Sequence, residues 1–207
     1  MRLAFEDLAP KERYKLLVAL VVPRPIALVT TLDAEGVANA APFSFFNVFS
    51  EDPALVVLGI ERHPERGRKD TAANIARSGE FVVNLVDEAL APAMNVCAVD
   101  FPPGTSELEA AGLTLAPSTS ISPGRIAEAP AALECRHWQT IEVKNGRELV
   151  IGEVTDLHTR DGLIDPATLR VDWQAYHPVG RLFANLYCKT GDTFELVRQS
   201  WEEWGRT

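Results

Sequence analysis

Apolar positions along the chain follow two rhythms. Tyr14, Leu17, Val18 and Val21 recur at three- and four-residue intervals behind Pro10, the spacing of one helical face after a proline suited to a first turn. This predicts a helix over residues 10–21. Val22-Pro23-Arg24-Pro25 ends it, because proline disfavours helical geometry in the residue before it. Short β-type runs dominate the rest. Residues 24–32 form an apolar, β-branched run, Asp33-Ala34-Glu35-Gly36 supplies turn chemistry, and residues 37–47 return. Further strands are predicted at 55–60 and 81–86. A second hairpin pairs 132–143 with 148–157 and turns at Lys144-Asn145-Gly146. A last strand falls near 183–187, with a short one at Phe194-Glu195-Leu196.

Helices interrupt these strands. One runs over 70–79, with Asp70 as N-cap and Gly79 as stop. Asp87 caps another that reaches about Val99 and is broken by Phe101-Pro102-Pro103-Gly104. Ser106-Glu107-Leu108-Glu109 is a capping box for a short helix ending near Gly112. Residues 113–130 are rich in Ser, Pro and Thr and read as a long surface excursion, a lid, interface arm or mobile segment. Residues 161–173 read as irregular. The sum is five to seven strands with short helices between hairpins. A closed or nearly closed β-barrel is the economical way to hide their edges.

The return arm 37–47 differs from a core strand. Ala38, Ala40 and Ala41 stand where bulk is usual, and small side chains leave backbone groups open to a flat ligand. Pro42 lacks a ladder donor, so pairing is expected to stop there. Ser44 and Asn47 offer polar atoms among Phe43, Phe45 and Phe46. The arm reads as a ligand shelf, or as a hairpin with a tight core and an exposed end. Residues 61–69 hold Arg62, Arg66, Arg68 and Lys69 and lead into the 70–79 helix. Lys69, Asp70 and Thr71 at a helix N-terminus suit a phosphate. The alternative is a solvated basic loop with an ordinary cap.

Composition narrows the function. The 207 residues are 46% hydrophobic and 24% charged, with a formal net charge of −9, which argues against nucleic acid or an anionic membrane surface as main partner. No apolar run approaches the roughly 18 residues of a membrane span, and the N-terminus lacks a signal peptide's apolar core. Cys97, Cys135 and Cys188 are odd in number and form no C-x-x-C, which predicts a reduced, cytoplasmic protein. His63, His137, His158 and His177 show no zinc spacing. G-x-S-x-G, Walker A and G-x-G-x-x-G motifs are absent from the sequence.

The order of several short strings resembles the flavin reductase-like, FMN-binding split-barrel family. They are Arg24-Pro25-Ile26-Ala27, Asn39-Ala40-Ala41-Pro42-Phe43-Ser44-Phe45-Phe46-Asn47, Lys69-Asp70-Thr71 with Asn74, Glu80-Phe81-Val82-Val83-Asn84-Leu85, Glu134-Cys135, Gly152-Glu153-Val154 and Gly180-Arg181-Leu182. The resemblance spans about residues 19–196. It implies a mainly β, Greek-key split barrel with short helices, one domain over 1–207 with an N-terminal helix and a C-terminal tail. It also implies a homodimer with one FMN per subunit near the interface. Flavin-binding positions carried over are Thr30, Thr31, Ala41, Pro42, Phe43, Ser44, Phe45, Asn47, Lys69, Asp70, Thr71 and Asn74, with Arg24 or Arg181 adding charge. NAD(P)H is the implied cosubstrate, and a redox protein or flavin-dependent monooxygenase the implied partner.

One position departs from the family pattern. Many two-component flavin reductases carry Gly-Asp-His before the Gly-Glu-Val strand, where this chain has Gly146-Arg147-Glu148. An acid in place of the imidazole predicts slow or absent reduction by NAD(P)H. His158, downstream on that strand, reads as structural or surface rather than catalytic. Three functions follow: an FMN-dependent NAD(P)H oxidoreductase, a flavin-binding electron carrier without a nicotinamide site, and a non-flavin β-barrel interaction protein.

Overall fold

The computed structural model describes residues 1–65, 67–102 and 105–204. Arg66, Pro103 and Gly104, singled out above, lie outside the described residues. The first helix, α1, runs Pro10–Leu20. Strands β1 (Ala27–Leu32), β2 (Ala38–Phe43), β3 (Phe46–Glu51) and β4 (Ala54–Ile60) follow. Then come α2 (Asp70–Ser78), β5 (Glu80–Leu85), α3 (Ala91–Val96), α4 (Glu107–Ala111), β6 (Leu115–Ala116) and β7 (Arg125–Ile126). The long hairpin is β8 (Ala131–Glu142) and β9 (Glu148–Thr159). Two small ladders close the order, β10 (Ile164–Asp165) with β11 (Arg170–Val171) and β12 (Val179–Arg181) with β13 (Tyr187–Lys189), before α5 (Trp201–Trp204).

Seven strands form one antiparallel sheet in the order β2-β1-β5-β8-β9-β4-β3. Its two edge strands are consecutive in sequence, and the Gly59 amide of β4 donates to the Phe45 carbonyl between them at 2.7 Å. The edges therefore meet at Ser44–Phe45, which hides them as a barrel does. β1 explains why its run is continuous rather than alternating. Ala27 and Val29 face a barrel core with Val56, Leu58, Phe81 and Val83 under α2. Leu28 faces a second core with Val86, Met94, Leu108 and Ile126 beneath α3 and α4. Both faces of the strand are buried, so both want apolar side chains, each contributing about 1.5–3 kcal/mol when fully enclosed.

Local signals held where neighbours decide. Gly79 ends α2 at φ 72°, Ser106 caps α4 by accepting from the Glu109 amide, and Asn145 and Gly146 turn the long hairpin with positive φ. Elsewhere the structure corrects the expectation. The cap of α2 is Lys69, and Asp70 is its first helical residue. Asp87 accepts from the Leu90 amide at 2.9 Å, ahead of an α3 that ends at Val96. Pairing does not stop at Pro42, which aligns with Leu28 while Phe43 aligns with Ala27. The Ala40 amide points away from β1 to Glu107, so strand alternation points Pro42 outward as well, where a missing N–H leaves no orphan. Strand β3 was not foreseen: it starts at Phe46, at the end of the return arm, and runs on to Glu51. Residues 183–186 form the turn between β12 and β13 instead of a strand, and Phe194 to Leu196 pair with nothing among the described residues. Residues 161–173 contain the β10–β11 ladder.

The 113–130 segment is fastened down. Thr30 donates its hydroxyl to the Gly124 carbonyl at 2.6 Å, and Asn84 accepts from the Ile126 amide at 2.7 Å. Glu134, 0% exposed, accepts from the amides of Thr119 and Ser120 at 2.6 and 2.8 Å and bonds His158 at 2.5 Å. Burial disfavours the charge on Glu134, yet these donors outweigh it and hold its pKa below the ordinary carboxylate value. His158 thus has the structural role expected of it.

Candidate functional site

Two adjoining cavities lie beside the β2–β3 junction. The first, about 390 Å³, is walled by Pro42, Phe43, Ser44 and Phe45 of the junction. Tyr14 and Val18 of α1, Arg24, and Arg181 to Asn185 and Tyr187 of the β12–β13 hairpin complete it, with Glu61, Lys69 and Arg147 at its mouth. The second, about 370 Å³, is walled by Asn39, Ala41 and Pro42 of β2, the start of α2 from Arg68 to Thr71, Arg62 and His63, and Cys97 to Phe101. Pro42, Phe43, Glu61, Lys69 and Ala98 line both, so the two adjoin side by side as the two halves of a trough.

The ends differ in chemistry. At the second cavity α2 begins without a side-chain cap, since lysine cannot accept a hydrogen bond. Asp70 and Thr71, whose N–H groups are the first of the helix and lie at its partially positive end, line that cavity. Thr71 donates its hydroxyl to Asn39 at 3.1 Å, and Asn39 donates to Glu107 at 3.0 Å. His63 and Asp100, 3.0 Å apart, join the two segments that flank this end. Burial raises the Cys97 thiol to about 11, with Glu107 adding to the shift, so it is an unreactive wall residue.

The first cavity is aromatic and cationic. Tyr14 and Phe45 are 6.3 Å apart, and the Arg147 guanidinium lies 5.0 Å over the Phe45 ring. Arg147 donates to Glu61 at 3.0 Å, and Lys69 lies 3.8 Å from the same carboxylate. Arg24, 8% exposed, donates to the carbonyls of Val18, Val21 and Leu182. Its Nε is buried with no partner. Burial lowers its pKa, Tyr14 opposes and Arg181 reinforces. Arg181 donates to the Tyr187 hydroxyl and the Ala184 carbonyl and stacks on Tyr187. A concave site with a flat backbone wall, aromatic side walls and an anion-ready helix start at one end suits a planar ring system carrying a phosphate. No group of His, Cys, Asp or Glu among the described residues is arranged to hold a metal, and no helix there is long and apolar enough to cross a membrane.

The model of the flavin reductase like domain matches residues 19–203. This chain belongs to the flavin reductase-like domain family. It is similar to the crystal structure of 2-nitrobenzoate 2-nitroreductase NbaA from Pseudomonas fluorescens, 41% identical with a TM-score of 0.89 over 97% of this chain and 98% of that one. Nitrilotriacetate monooxygenase component B from Bacillus cereus is 35% identical with a TM-score of 0.89 over 95% and 98%. A Halalkalibacterium halodurans protein is 43% identical over 96% of both chains. The fold is the split barrel of this family, which a Shewanella frigidimarina split-barrel structure shares at a TM-score of 0.81.

In this flavin reductase-like chain the residues carried over from the family pattern separate into two groups. Ala41, Pro42, Phe43, Ser44, Phe45, Lys69, Asp70, Thr71, Arg24 and Arg181 line the trough. Thr30, Thr31, Asn74 and Asn47 do not. The Thr30 hydroxyl is engaged by Gly124, and Thr31 accepts from Asn74 at 3.0 Å inside the protein. Asn47 sits on β3, accepting from the Val48 amide on the exposed side. Thr31 and Asn74 instead fasten α2 to the strand behind the shelf.

Glu148 also moves out of the site. It is 5% exposed and accepts from Arg68 at 2.7 and 3.2 Å, so it lines neither cavity itself but is paired with a residue that lines the second. Arg147, the turn residue just before β9, is the one that lines the first cavity. No residue of 113–130 lines either cavity, so that segment is no lid here. Tyr14, Glu61, Arg147 and Phe183 were missed as site residues. The Arg147-Glu148 alternation was the available signal for one of them. The others depend on elements far apart in sequence.

Proposed function

We propose that the trough binds FMN noncovalently and that the protein is an oxidoreductase that moves electrons from NAD(P)H or a redox protein through it to an acceptor. The observation that carries this reading is that the cavity at Pro42–Phe45 adjoins the one at Ala41 and the uncapped start of α2, with Lys69 lining both. Lys69, Thr71 and the first amides of α2 would hold the phosphate. The junction Pro42–Phe45 would carry the ring system. Bound FMN supplies hydride acceptance and one- or two-electron transfer. The chain orients that ring, screens one side of it with Tyr14 and Phe45, and holds positive charge near it. The names of the two solved structures above, a nitroreductase and a monooxygenase component, support a redox role.

The test is the absorbance of the purified protein and its titration with FMN. A flavin band that stays with the protein is expected, and a colourless protein that takes up no FMN would overturn the reading. Anaerobic mixing with NADH and NADPH separates a self-sufficient enzyme from a carrier reduced by a partner, since only the former bleaches the flavin. We also propose a homodimer, supported by exposed Leu20, Val21, Phe183 and Leu186 around the first cavity and by exposed Phe194, Leu196, Val197 and Trp201 in the tail.

A further inference from the structure

We infer that Glu107 is a positioning residue that sets how strongly the second cavity holds an anion, given the reading of that cavity as the phosphate end of the site. It fixes the direction of the hydrogen bonds there. The Thr71 hydroxyl is spent inside the protein, and Thr71 meets a bound phosphate through its backbone N–H. Three side chains of the cavity wall are involved. Glu107 opens α4, Asn39 lies on β2 and Thr71 stands in the first turn of α2, and all three line the second cavity.

The direction of each bond follows from the groups themselves. An ionised carboxylate only accepts. One oxygen of Glu107 accepts from Asn39 Nδ2 at 3.0 Å, and the other accepts from the Ala40 amide at 3.4 Å. The group of Asn39 turned toward Glu107 is therefore its NH2, which leaves its carbonyl oxygen turned toward Thr71. That oxygen also only accepts, so Thr71 donates across the 3.1 Å between them. A threonine hydroxyl carries one proton. With that proton committed, the hydroxyl offers only lone pairs to the cavity, and these repel a phosphate oxygen. Glutamine at position 107 reverses the relay. Ala40 is fully buried, and its amide needs an acceptor. The glutamine oxygen is drawn to that amide and the glutamine NH2 to Asn39. Asn39 then turns over and donates to Thr71, and the Thr71 proton is released to the cavity.

Glu107→Gln, Thr71→Val and the double variant, each titrated with FMN and with riboflavin by fluorescence quenching, test this. Glu107→Gln should tighten FMN by about tenfold, the effect of one hydrogen bond to a charged acceptor, and leave riboflavin within about twofold. Most of that gain should vanish in the double variant, because valine has no proton to release. An FMN-to-riboflavin affinity ratio that is unchanged or lower in Glu107→Gln overturns the inference, since loss of a purely structural contact weakens both flavins together. A gain as large in the Thr71→Val background as in wild type also overturns it and assigns the effect to the charge of Glu107 alone. Inorganic phosphate, followed through the amide chemical shifts of Asp70 and Thr71, repeats the comparison without flavin. The same order of affinities is expected, and phosphate binding that is equal across the set, or absent from all of it, overturns the inference. Failure to take up FMN sinks the flavin reading alone, because the phosphate titration still decides this one. If a melting curve shows Glu107→Gln unfolded, Glu107→Ala, which also leaves Asn39 free to turn, takes its place with the same expected direction.

Discussion

Replacing Lys69 with Ala removes the cation at the start of α2. In the free protein its ammonium lies 3.8 Å from Glu61, with side chains 37% and 56% exposed. An exposed pair of that kind is worth about 0–1 kcal/mol. A charge-assisted contact to a phosphate is worth about 1.5–3 kcal/mol. Binding exchanges the first for the second, so the net contribution of Lys69 to FMN affinity is about 0.5–3 kcal/mol, or about 2- to 150-fold in Kd. Riboflavin lacks the phosphate and should lose almost nothing. Flavin fluorescence quenching, titrated with FMN and with riboflavin at low and high salt, measures both. The FMN difference should shrink with salt, because a partly exposed charge is screened. Equal losses for the two flavins would mean that Lys69 acts on the ring or on the fold. An unchanged FMN affinity would return Lys69 to the solvated basic loop.

Two further outcomes concern the scaffold. A Cβ at Gly152 would stand 2.3 Å from the Phe81 ring, which is fully buried. Gly152→Ala should therefore destabilise by about 1–3 kcal/mol, roughly 2–4 °C per kcal/mol in a thermal melt, and Phe81→Leu should restore part of it; an unchanged melt would refute the contact. Glu134 has a folded-state pKa below its ordinary value, so its stabilisation is present above that ordinary value, about 4.5, and is lost as pH falls through the folded value. Glu134→Gln should lower stability by about 1.5–3 kcal/mol at neutral pH and by little in strong acid, read from urea denaturation at both, and an equal deficit at both pH values would refute it.

Local geometry was legible in the chain because it is decided by near neighbours. Asn145-Gly146 turned the long hairpin, Ser106 capped α4 and Gly79 ended α2, each through backbone angles or bonds within four residues. Of the small residues read as a ligand shelf, Ala41 lines the trough, while Ala40 is buried in the second core and Ala38 packs against it; the cation at Lys69, a property of a helix start, was legible locally. Tertiary structure decided which polar groups face a ligand. Thr30 looks like a site residue in sequence, yet Gly124, from a segment far along the chain, claims its hydroxyl. Glu148 and Arg147 are adjacent, and only the partner Arg68, 80 residues away, determines that the acid turns inward and the base reaches the trough. A buried polar atom must find a partner, and those partners come from elements distant in sequence. The chain by itself specifies where donors and acceptors lie along each element, and the long-range packing specifies which of them remain for a ligand.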